Sequence, residues 1–142
     1  MTTEFTNEDV DAAIEFVARN GAENRAALVH YTLVFEAAGL PAPQQLHQGG
    51  ETALVSQFME AFHFRCIHRG FPPLDSLVVH VAGPRGGVPG SGYFRVNDLH
   101  DPYGHRTSAE DAAVSGWFLE QQRQECASWG NDRRRGRRRT SS

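Results

Sequence analysis

The chain has 142 residues and 15.7 kDa, 39% apolar and 22% charged, the size and balance of one globular domain. Its formal charge of −3 divides unevenly: residues 1–131 hold sixteen acidic residues against eight arginines, a balance of −8, whereas residues 132–142 hold Asp132 and six arginines, a balance of +5. Apolar runs stop far short of the roughly 20 residues of a membrane span, the acidic start lacks the basic region of a signal peptide, and Cys66 and Cys126 are too few for a disulfide scaffold, so the expectation is a cytoplasmic protein with reduced thiols and no membrane contact.

In chain order, Thr6 or Asn7 caps a first helix with Val10, Ile14 and Val17 on one face, and Gly21 stops it. Ala27–Tyr31 reads as a strand. Thr32 caps a short helix over Leu33–Ala38 that closes at Gly39 and Pro41. The polar stretch 41–50 is a turn or a short helix. A longer helix spans Glu51–His68, with Leu54, Phe58, Phe62 and Cys66 at four-residue spacing, and ends at Gly70 before Pro72-Pro73. Ser76–Ala82 reads as a buried strand. The glycine- and proline-rich loop Gly83–Gly92 then leads to Tyr93–Val96, expected as the second strand of a hairpin. Ser108 caps a last helix running to about Trp129, and Gly130-Asn131 ends the fold. The arginine-rich residues 131–142 have nothing to bury and are expected to be disordered.

Strand, short helix, turn, longer helix and a hairpin with a glycine-rich loop is the order of a winged helix-turn-helix. In detail, 27–96 resembles the C-terminal domain of the alkylguanine-DNA alkyltransferases and the alkyltransferase-like proteins. The segment His30-Tyr31-Thr32-Leu33-Val34-Phe35 resembles the family's opening of the first motif helix, and Ala37-Ala38-Gly39-Leu40-Pro41 its Ala-x-x-Gly-x-Pro turn. The family's nucleophile stands in a Pro-Cys-His-Arg segment, where this chain has Pro72-Pro73-Leu74-Asp75, so the resemblance implies the scaffold without alkyl transfer. The small-residue pattern of the family's recognition helix is also absent.

The expected fold is therefore α+β: a winged-helix-like domain over 1–130 with flanking N- and C-terminal helices, and a disordered basic tail over 131–142. Gln44, Gln45, His47 and Gln48 fall where a recognition element begins, with side chains able to meet base edges or phosphate; the alternative is a solvated turn. Tyr31 stands at the helix entrance, where it either touches nucleic acid or packs. Arg85 would reach DNA from the wing. Arg133, Arg134, Arg135, Arg137, Arg138 and Arg139 suit salt-sensitive binding to phosphates. His63 and Cys66 share a helical face that His68 does not, and His100, Asp101 and His105 match no ligand spacing, so no metal, cofactor or catalytic residue is expected, with a histidine-dependent hydrolytic or metal site over Asp98–His105 as the third reading. Trp117, Phe118 and Trp129 make an aromatic stripe that packs on the core or forms a homodimer face. The functional expectation is a non-enzymatic DNA-binding or DNA-associated regulatory protein. The alternative is an acidic adaptor or inhibitor that binds a basic protein partner and occupies its nucleic-acid-binding surface.

Overall fold

The computed structural model describes residues 5–40, 50–80, 87, 89–102 and 106–140, with side chains at all but 50–53, 91 and 138–140. The first helix, α1 (Asn7–Val17), starts at a capping box: the Asp9 amide donates to Thr6 Oγ1 at 3.2 Å and the Thr6 amide to Asp9 Oδ2 at 2.9 Å. Val10, Ala13, Ile14 and Val17 carry its buried face. Gly21 does not stop the helix. The chain widens instead into a π-helical turn, Ala18–Ala22, and reverses through Arg25 and Ala26, both left-handed at φ 59° and 55°.

The strand expected at 27–31 shrinks to β1 (Val29–His30), and α2 (Tyr31–Ala37) begins at once. The long helix α3 (Gly50–His68) buries Leu54, Phe58, Phe62 and Cys66, the four positions marked by their spacing. Gly70, at φ 72°, closes it: only glycine takes this conformation without steric cost, and it lets the Phe71 amide reach back to the Cys66 carbonyl at 2.9 Å. A 3-10 turn over Leu74–Leu77 leads into β2 (Val78–Val79), which pairs with β1 in parallel, Val29 opposite Val78 and His30 opposite Val79.

The architecture is α+β and mostly helical, with this two-stranded parallel sheet. The expected hairpin is overturned: Tyr93 to Val96 lies in a helix, α4 (Ser91–Val96), not a strand. Tyr93 and Phe94 are both buried, in a small cluster with Leu119 and Leu99. Adjacent side chains on a strand point to opposite faces, so a hairpin strand covered on one face would bury only one of them, whereas this helical turn buries both.

The last helix, α5 (Ala109–Thr140), is capped by Ser108, whose Oγ accepts from the Asp111 amide at 3.1 Å. It runs past Gly130-Asn131 without a break, so the basic segment expected to be disordered is helical through Thr140. Gly130 is a crossing point rather than a stop. A Cβ built there would stand 2.0 Å from the carbonyl oxygen of Ala22. Only a residue without a side chain lets α5 pass this close to the turn after α1. The main core lies where α1 packs on α2 and α3, around Ile14, Phe35, Phe58 and Phe62, and Cys126 of α5 closes it.

Candidate nucleic-acid interface

Beyond Gly130, α5 turns arginines toward α1. Arg133 Nη2 donates to Glu15 Oε2 at 2.6 Å, and its Nε lies 3.4 Å from Glu23 Oε2. Arg137, one helical turn on, contacts Glu23 Oε1. Arg134 reaches the Glu23 carbonyl at 3.4 Å and Asn131 Oδ1 at 3.2 Å. Glu23 itself is only 5% exposed. Arg135 is exposed, while the side chains of Arg138 and Arg139 lie outside the described ones.

The same acidic face of α1 takes two arginines from α3. Arg65 donates twice to Asp11, at 2.8 and 3.0 Å, and Arg69 approaches Asp11 at 3.4 Å and Glu15 at 3.5 Å. The Arg65 hydrogen bonds hold the Asp11 carboxyl below its ordinary range. Flat groups then stack across the seam: Arg69 lies 4.3 Å from the centre of the Phe71 ring, Phe71 lies 4.9 Å from Trp129, and Arg133 lies 5.0 Å from Trp129. Two acidic side chains of the body, Glu15 and Glu23, and two arginines beyond it, Arg133 and Arg137, therefore face each other inside one molecule.

The other sequence-derived candidates fare differently. Tyr31 is buried; its hydroxyl accepts from the Gly90 amide at 3.0 Å and its ring meets His80 at 5.0 Å, a packing role that ties α2 to the start of α4. Of the two roles expected for Tyr31, these contacts match packing. Gln44, Gln45, His47, Gln48 and Arg85 lie outside the described residues. His100 Nε2 stands 3.8 Å from Asp111 Oδ2, both well exposed, and the His100 carbonyl takes the Ser115 hydroxyl at 2.5 Å. Among the described residues, no three His, Cys, Asp or Glu side chains gather as a metal site.

Sequence reasoning missed a buried polar cluster. His63 Nδ1 on α3 meets Asp75 Oδ2 in the 3-10 turn at 2.9 Å, with side chains 8% and 3% exposed. The Asp75 hydrogen bond holds the imidazole above its usual range against the opposing effect of burial. Asp75 Oδ1 is buried without a hydrogen-bond partner. Nearby, Cys126 Sγ donates to the Pro73 carbonyl at 3.4 Å and lies 3.6 Å from Ser76 Oγ. Burial pushes the Cys126 thiol up to about 12 and raises Cys66 further, so neither is a thiolate nucleophile. The only signal for this pair is a single acidic residue two positions ahead of the apolar run Leu77-Val78-Val79.

Arg123 of α5 donates from Nε to the Ser76 carbonyl at 2.9 Å and from Nη2 to that of Gly87 at 3.3 Å. It borders an open groove of about 370 Å³ with Ala26, Leu28, Glu120, Gln124 and Ala127. Elsewhere the surface carries large apolar side chains: Phe64 and Ile67 on α3, Val114 and Trp117 on α5. No helix among the described residues is long and apolar enough to cross a membrane. Compared with protein-family models, curated proteins and solved structures, the chain matches none.

Proposed function

We propose that this chain is a non-enzymatic, DNA-binding or DNA-associated regulatory protein that grips phosphates with the arginine-rich end of α5. One observation carries the reading: the arginine run is borne on a continuous helix that ends on Thr140, with Arg135 turned to solvent. An α-helix fits the major groove of B-DNA, and its arginines meet phosphates with a planar fork of donors. The winged-helix-like reading adds α2, α3 and the segment between them, with Gln44, Gln45, His47, Gln48 and Arg85 as further DNA ligands.

The test is binding of the full chain to a duplex of about 20 base pairs, followed by anisotropy across salt. Replacing Arg135, Arg138 and Arg139 together by Ala should weaken binding at least tenfold. It should also flatten the slope of log K against log salt by about 0.9 for each phosphate that is no longer neutralised. Binding that is absent at low salt, or unchanged in this variant, overturns the reading.

A second reading, the adaptor that binds a basic protein, is favoured by the exposure of Trp117 (64%) and Val114 (57%) on one face of α5, because aromatic residues concentrate in interface cores. It expects a basic protein to remain bound after nuclease treatment and to be released by Trp117→Ser. A complex that nuclease dissolves argues against it.

A further inference from the structure

The contact between α5 and the acidic face of α1 is built from charge more than from satisfied hydrogen bonds. Glu15 Oε2 takes Arg133 Nη2 at 2.6 Å, a well-formed bond at a half-exposed site. Deeper in, buried Glu23 faces two guanidiniums, with Arg137 at Oε1 and Arg133 Nε 3.4 Å from Oε2, while Arg133 Nη1 is buried without a hydrogen-bond partner. Buried ion pairs recover their desolvation only when geometry is good and the remaining donors are satisfied. This pair is therefore held more weakly than its burial suggests. The helix is also at its weakest here, since Gly130 and Gly136 bracket Arg133 and glycine is the poorest helix former after proline.

A carboxylate and a phosphodiester make the same demand on a guanidinium: two anionic oxygens facing a planar fork. We propose that Glu15 and Glu23 are an internal stand-in for phosphate, holding Arg133 and Arg137 on the body until a phosphate polyanion takes them over. This rests on the reading of the α5 arginines as phosphate ligands. In the docked state Arg135 faces solvent and makes the first contact. Release then frees Arg133 and Arg137, and returns Glu15 and Glu23 to water. Binding is thus an exchange of one anion for another, and the acidic face lowers affinity for weakly charged competitors.

The chemistry recognised is a chain of phosphates, supplied either by a nucleic-acid duplex or by free polyphosphate. The test uses the full chain, wild type and Glu15→Gln/Glu23→Gln, with a duplex in one arm and inorganic polyphosphate in the other. Thermal melts establish that the variant folds. If it does not, Glu15→Gln alone serves, with a smaller gain expected. The double variant should bind the duplex at least tenfold more tightly, with the salt slope unchanged, because Arg133 and Arg137 meet phosphates in both complexes. Amide exchange at 131–137 should rise in the variant before any ligand is added. Wild type that binds the duplex while the variant binds it no better overturns the stand-in and leaves the function reading intact. Tighter binding of polyphosphate alone, with no duplex binding by either form, upholds the stand-in and overturns the nucleic-acid reading. Failure of both forms to bind either ligand overturns both.

Discussion

Removal of the Asp75 carboxylate is the perturbation whose size and pH signature follow most directly from the geometry. His63 and Asp75 are joined at 2.9 Å with side chains 8% and 3% exposed, so Asp75→Ala strands a buried imidazole. Breaking a buried pair by removing one partner costs about 3–5 kcal/mol, a large share of the roughly 5–15 kcal/mol typical of a domain. At about 3 °C per kcal/mol for a chain of this length, Tm should fall by roughly 10–15 °C. The pH dependence carries the sharper signature. His63 is raised in the folded protein, chiefly by the Asp75 hydrogen bond. Its contribution is fully present below the unfolded imidazole value of about 6.5 and is lost as pH rises through the higher folded value. Wild-type stability from this group therefore declines above neutrality. In Asp75→Ala burial acts on His63 against only the weaker pull of the Glu60 charge, its folded value falls below the unfolded one, and stability from this group rises with pH over the acidic side of neutrality. Urea unfolding of both proteins between pH 5 and pH 9 measures the two slopes. A cost below about 1 kcal/mol, or the same slope in both, refutes the reasoning.

Gly130→Ala should cost about 1–3 kcal/mol as overpacking, because the obstacle is the Ala22 backbone and not a movable side chain; amide exchange at 131–137 should rise with it. Phe58→Ala, at a fully buried ring between Phe5 and Phe35, should cost about 3–5 kcal/mol in urea unfolding. Cys66 and Cys126 should be alkylated by iodoacetamide only as fast as the protein opens, so that rates climb steeply through the urea transition; rapid labelling of the native protein at neutral pH would contradict their burial.

How much was legible from residues alone depended on whether the deciding partner was local. The Thr6–Asp9 cap and the Ser108–Asp111 cap each lie within one turn, and both form. The four-residue spacing of Leu54, Phe58, Phe62 and Cys66 needs only helical periodicity, and all four are buried. The misreadings have distant causes. Gly130 carries the usual mark of a helix end, but its role is set by Ala22, far away in the chain. The arginine segment has nothing nearby to bury against, and its order comes from Glu15 and Glu23. Tyr93–Val96 has strand-like composition, yet Phe94 and Tyr93 must both be covered, and a helical turn does this. His63 and Asp75 lie on separate elements whose meeting no spacing rule announces. Much of the candidate interface, Gln44 to Gln48 and Arg85, rests on the sequence reading alone.

The passage of α5 beside Ala22 also fixes a register. Gly130, Arg133 and Arg137 stand at i, i+3 and i+7, so one helical face carries the gap for the Ala22 carbonyl and both inward guanidiniums. Each residue added or removed turns everything downstream by about 100° and shifts it by about 1.5 Å. A single deletion between 130 and 133 would swing both arginines away from Glu15 and Glu23 while leaving the composition almost unchanged. Chains built on this plan should thus tolerate substitution at Asn131 and Asp132 far better than any change in the number of residues there, and length, rather than identity, is the quantity this stretch must keep under design or drift.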